Sequence, residues 1–279
     1  MYGLMFGDLG LGLVITLFGV ILFKTKKGIF GITKDEAETL GAIAMFCGIS
    51  SMLFGAFYGT AFLMKVWEPI FISPMHDIVG IIKVTLFFGM AQLVLAMFIN
   101  IINNFMIKDY IKALLGGTGL IGLIYYIAGA FLAYNVAKSG YNFSIIFEGE
   151  NIILLFIVVS AMVLVLLTGV IRGLLHRRRE ELMDSVIELF EMLIAYPANT
   201  LSYIRLAAFA LAHEVFCTLV EVMGSILGFI PSLILINLIV LLIDGFAAGI
   251  QALRLTYYEF STKFFKGEGV EFKPLLTIR

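Results

Sequence analysis

Charge is the first scarcity. Of 279 residues only 14% are charged, against 61% hydrophobic, and the mean hydropathy is +1.04. A soluble domain is about a quarter charged, so a water-soluble fold is excluded and a polytopic membrane protein is implied. A net charge of -1 and a pI of 6.3 supply no basic face for nucleic acid. Cysteine is nearly absent: Cys47 and Cys217 both lie in apolar runs. They exclude a disulfide framework and read as small buried hydrophobes. Three histidines, His76, His176 and His213, are scattered, without the short spacings of a zinc site, so neither metal nor cofactor is expected. The opening Met1-Tyr2-Gly3-Leu4 lacks a positive n-region and a cleavage site, and the chain starts inside a hydrophobic segment.

What is present is apolar length. An all-α fold of about seven transmembrane helices is expected, since a bilayer core needs about 20 helical residues. The segments are Gly3–Phe23, Thr39–Leu63, Gly80–Ile107, Ala113–Tyr134, Asn151–Leu175, Met183–Gly228 and Pro231–Phe265. The last two exceed a simple crossing, which implies strong tilt or, in the sixth, a break at Pro197. Pro231 reads as the first turn of the last helix, after a reversal at 228–230. Lysines and arginines cluster in alternate loops: Lys24, Lys26, Lys27 and Lys34; Lys108 and Lys112; Arg172, Arg177, Arg178 and Arg179; and Lys263, Lys266, Lys273 and Arg279. The other loops hold mainly Lys65 and Lys138, with Glu68, Asp77, Glu148 and Glu150. The positive-inside rule then puts the N-terminus outside and the C-terminus in the cytoplasm. An external start without a signal implies a preceding span, so the chain reads as a fragment comprising one membrane domain over residues 1–279.

The informative residues are charged and polar groups inside spans. Arg205, His213 and Glu214 lie in the sixth segment, Asp244, Gln251 and Arg254 in the seventh. An ionisable group at bilayer depth costs several kcal/mol and marks a partner, a hydrated cavity or a function. Counted from Ile230, Arg205 and Arg254 share one depth. Asp244 falls opposite His213 and Glu214, toward the outside, and Glu191 lies about 21 Å toward the cytoplasm. Acids, then arginines, then an acid describe a cation path with a positive barrier. Arginine stays protonated and cannot relay protons, but it attracts a carboxylate and lowers that group's proton affinity. Ala198, Ser202, Ala208 and Ala212 recur around it and allow another helix close approach.

Each residue has a plainer reading. Arg205 can form a static ion pair with Asp244 or Glu214. Asp244, Glu214, Glu221 and His213 can line a hydrated channel or only hydrogen-bond one another. Asp184, Glu188 and Glu191 can form a solvated face. Lys83 reads as snorkelling, Lys263 and Lys266 as interface anchors, and Asp8 as an interface residue. Gly7, Gly10 and Gly12 read as close helix contacts. The sequon Asn142-Phe143-Ser144 is too common to decide anything.

Three stretches resemble one family, the C-terminal membrane domain of subunit a (subunit I in archaea and bacteria) of rotary V/A-type ATPases. Met5-Phe6-Gly7-Asp8-Leu9-Gly10 resembles its MFGDxGHG motif, with Leu11 where eukaryotes usually have histidine. Leu201-Ser202-Tyr203-Ile204-Arg205-Leu206 with Leu211-Ala212-His213, and Ala252-Leu253-Arg254-Leu255 through Phe265, resemble two more. The resemblance covers essentially the whole chain. It implies that a cytosolic N-terminal half and one transmembrane helix precede the chain. Arg205 would be the essential arginine facing a lipid-embedded rotor ring of c/K proteolipid subunits, and Arg254 its supporting partner. Asp244, His213 and Glu191 fall at half-channel positions, Asp244 where glutamate is frequent. Ala207-Ala208 in place of Trp-Ala points to an archaeal or bacterial plasma membrane.

The expected function is a stator subunit that passes protons or Na+ through two offset half-channels, with no nucleotide site of its own. Peripheral stalk subunits would join it through the N-terminal domain. The alternatives are a secondary transporter binding an anionic substrate, for which internal repeats are expected and none is seen, and a membrane anchor.

Overall fold

The computed structural model describes residues 1–25, 33–70, 77–140, 142–176, 179–265 and 267. Lys26, Lys27, His76, Arg177, Arg178, Lys266, Lys273 and Arg279 lie outside the described residues. In chain order the helices are α1 (Tyr2–Met5), α2 (Leu9–Thr25), α3 (Lys34–Tyr58), α4 (Ile78–Met106), α5 (Tyr110–Leu115), α6 (Leu120–Lys138), α7 (Asn151–His176), α8 (Arg179–Phe190), α9 (Tyr196–Ser202), α10 (Ile204–Leu227), α11 (Phe229–Leu242) and α12 (Asp244–Arg254). A small hairpin, β1 (Thr60–Ala61) with β2 (Met64–Lys65), follows α3. The chain is an all-α polytopic membrane protein. Among the described residues, six helical runs are long and apolar enough to cross a membrane, and Leu9–Lys24 is a shorter apolar helix.

The first segment differs from expectation. Its helix breaks at Phe6-Gly7-Asp8 because Asp8 caps α2: its Oδ1 accepts the Leu11 N–H at 2.8 Å. The sixth run, Ser185–Leu227, is helical over 43 residues, about 65 Å of helix. A π turn at Glu191–Ala195, closed by the Tyr196 N–H on the Glu191 carbonyl, precedes Pro197. Widening the turn there accommodates the ring and the missing donor, so the helix continues. A second π turn, Leu255–Phe260, follows Arg254. The reversal sits on Gly228, whose φ of 90° suits glycine alone. The last helix starts at Phe229, two residues before Pro231.

The described residues form two compact units. The first comprises Met1–Ala91 and Asn199–Thr256. In it α2 and α3 touch at backbone distance through glycines seven apart. A Cβ on Gly19 would lie 2.5 Å from the Met45 nitrogen, and one on Gly48 would lie 2.5 Å from the Thr16 nitrogen. Gly12 meets the same helix, and the rings of Tyr58 and Phe62 cover Gly7 and Gly10, so the expected close packing holds. Ile81, Ala207 and Ala210 join α4 to α10 in a buried cluster, and the Tyr203 ring rests on Gly89.

The second unit comprises Gln92–Ala198 and Tyr257–Arg279. Its hub is Tyr196, fully buried, whose hydroxyl donates to the Gly117 carbonyl at 2.7 Å. Tyr125 and Tyr126 pack on its ring. Lys263 was expected to be an interface anchor, yet its Nζ lies 4.9 Å from the Tyr196 ring centroid, an attraction to the ring quadrupole. Glu188 does not belong to a solvated face either, since its Oε2 accepts the Gly117 N–H at 2.8 Å.

Candidate functional site

Four of the intramembrane polar residues named from the sequence meet in two pairs across α10 and α12, within the first unit. Antiparallel to one another about Gly228, these helices bring His213 to Asp244: Nδ1 lies 2.9 Å from Oδ2, and both side chains are buried. With the carboxylate accepting, Nδ1 carries the proton, and Nε2 of a neutral ring becomes an acceptor. That Nε2 is buried without a hydrogen-bond partner among the described residues. The edge of Phe6, from the MFGD stretch, packs on the imidazole at 4.7 Å. Asp244 therefore faces His213 as expected, while Glu214 goes elsewhere.

Glu214 turns to the hairpin. Its Oε1 lies 3.0 Å from Lys65 Nζ, with the carboxylate 6% and the lysine side chain 47% exposed. Beside His213 and Glu214 is a cavity of about 10 Å³, room for roughly one water. Met5, Gly7, Tyr58, Thr60, His213 and Glu214 are among its lining residues. Thus Lys65, read from sequence as a loop charge, is a member of the site. No spacing in the sequence revealed this, because it depends on the hairpin's register.

Eight residues before His213, about 12 Å along the helix, Arg205 donates from Nη1 to Gln251 Oε1 at 3.1 Å. The static ion pair weighed above is absent among the described residues: Asp244 engages His213, Glu214 engages Lys65, and Arg205 engages a neutral amide. The 205–251 and 213–244 contacts are centred on Gly228 rather than Ile230. The same register puts Arg254 opposite residues 202 and 203, so the two arginines are offset by about 4 Å instead of level. Arg254 is exposed, Arg205 half-buried, and Ala208 and Ala212 are exposed. Ser202 closes α9 three residues before Arg205, and buried Tyr203 and Leu206 fix the opposite face of the helix. Glu221 is exposed on α10 and joins neither pair. Glu191, in the second unit, opens the first π turn and is exposed.

Comparison with known proteins decides the resemblance. The V-type ATPase 116kDa subunit family matches residues 174–277, a stretch that holds every site residue named from the sequence. A-type ATP synthase subunit I of Aeropyrum pernix is 26% identical over 98% of this chain. Subunit I of Methanocaldococcus jannaschii is 25% identical over 98% of it. V-type proton ATPase subunit a1 of Arabidopsis thaliana is 34% identical over 34% of it. The chain is a relative of the V/A-type ATPase subunit a/I family. It spans less than half the length of the two archaeal relatives, 45% and 43%.

Proposed function

We propose that this chain is the membrane part of a rotary-ATPase stator subunit, conducting protons or Na+ between each side of the membrane and the carboxylates of a rotor ring. The observation that carries the reading is Arg205, whose hydrogen-bond partner is the neutral Gln251 and whose neighbouring helix face is small and exposed. A guanidinium free of a fixed carboxylate can meet a rotor carboxylate, stabilise its ionised form and release it. A permanent pair would hold the rotor in place. The outer half-channel runs from Glu214 past His213 and Asp244, where one water in the cavity would link the two tiers. Glu191, Ser202 and Glu221 take the remaining channel positions, and Arg254 supports Arg205 one step along. The positive-inside bias places the hairpin end outside and the C-terminus in the cytoplasm.

If Arg205 is also the barrier between the half-channels, Arg205→Ala in the complete complex should let ions leak down an imposed gradient without ATP. Liposomes as tight as those with the unsubstituted complex, still filled by ATP-driven pumping, would contradict the reading.

A further inference from the structure

The Asp8 carboxylate is fully buried and surrounded by backbone donors. Oδ1 accepts from Leu11 at 2.8 Å and from Phe62 at 2.9 Å, and Oδ2 accepts from Leu63 at 2.8 Å. Phe62 and Leu63 are the two central residues of the hairpin turn, between the Ala61–Met64 and Thr60–Lys65 pairs. Their φ values are 52° and 59°. Left-handed backbone at two successive bulky residues is disfavoured by sterics, and turns of this kind ordinarily take Asn-Gly. Such an outlier persists only where its surroundings over-determine it. Here Asp8 holds both turn amides, Thr60 Oγ1 donates to the Gly7 carbonyl at 2.8 Å, and Asn237 Nδ2 donates to the Phe62 carbonyl at 3.1 Å. Immediately after the turn, β2 ends on Lys65, with its ammonium on Glu214.

We infer that Asp8 is a positioning residue for the ion path: it holds the strained Phe62-Leu63 turn, and the turn delivers Lys65 as a tethered cation to Glu214. The inference rests on the half-channel reading. A carboxylate is required because three N–H groups converge on acceptor-only oxygens. An amide at this position would set an NH2 group against an N–H donor. Lys65 then occupies the buried acid that lines the cavity with His213, so an ion in transit exchanges with a charge whose position Asp8 sets.

The test is ATP-driven pumping by the complete complex in liposomes, with Lys65→Gln, Asp8→Asn and the double variant compared. Lys65→Gln should change the pumping rate by about 2- to 5-fold, as suits a half-exposed pair, and Lys65→Arg should restore most of the change. Asp8→Asn should reproduce Lys65→Gln, and the double variant should match either single one. If the two effects multiply, Asp8 acts independently of Lys65 and the inference is overturned. Where Asp8→Asn fails to assemble, adding Phe62→Gly should restore assembly, because glycine adopts the turn without help; failure of that rescue also overturns it. Arg205→Ala runs alongside. Normal pumping there would sink the half-channel reading, whereas normal pumping by Asp8→Asn and Lys65→Gln alone would sink only this inference.

Discussion

Arg205 bears a charge that no accessible pH removes, and its hydrogen bond to the neutral Gln251 leaves that charge available. The contact supplies a sharp prediction. Gln251→Glu would place a fixed carboxylate against the guanidinium, creating the static pair that the native site avoids. Pumping should fall about tenfold or more, since hydrogen bonds to charged groups are worth about 1.5–3 kcal/mol, while assembly is retained. Pumping at the native rate would show that Arg205 need not be free. At this scale the sequence was most informative about the residues a bilayer makes expensive. Arg205, His213, Asp244 and Gln251 stood out by their apolar surroundings alone, and His213 does meet Asp244. Lys65 and Asp8 did not stand out. Both lie near an expected span end, where charge is ordinary, and their importance depends on a six-residue hairpin that hydropathy does not register.

Among the elements, α2 and α3 show how glycine spacing dictates packing. Gly12 and Gly19 on one helix, and Gly41, Gly48 and Gly55 on the other, recur at seven-residue intervals and bring the backbones together. A Cβ on Gly48 would sit 2.3 Å from Thr16 Oγ1 and 2.5 Å from its backbone nitrogen, so the helices must separate to admit one. Gly48→Leu is expected to destabilise the protein by about 1–3 kcal/mol, read as a lower thermal midpoint in detergent; an unchanged midpoint would contradict the contact. The apolar runs located the helices from sequence, but their interruptions were less visible. The sequence left a strongly tilted helix and a break at Pro197 as alternatives, and the chain widens into a π turn just before the proline, a response local to the backbone. Hydropathy also carried the first segment straight through Asp8, because one acid in an apolar run does not lower the average enough to signal a cap. Placing the reversal on Ile230 rather than Gly228 misaligned the arginines by only a few ångströms, because antiparallel pairing is tolerant of a short loop.

For the molecule as a whole, scarcity of charge and length of apolar runs led directly to an all-α membrane protein. Three motifs, in order, led to the family that residues 174–277 match. Orientation rests on the lysine and arginine bias of alternate loops, and the proposed function on Arg205, which engages a neutral amide while the neighbouring acids engage His213 and Lys65. The most direct test of that account is ATP-driven ion pumping by the complete complex carrying Arg205→Ala, with ATP hydrolysis followed in parallel. The account predicts an assembled complex in which pumping is lost. Pumping at the unsubstituted rate would contradict it and leave Arg205 a structural residue.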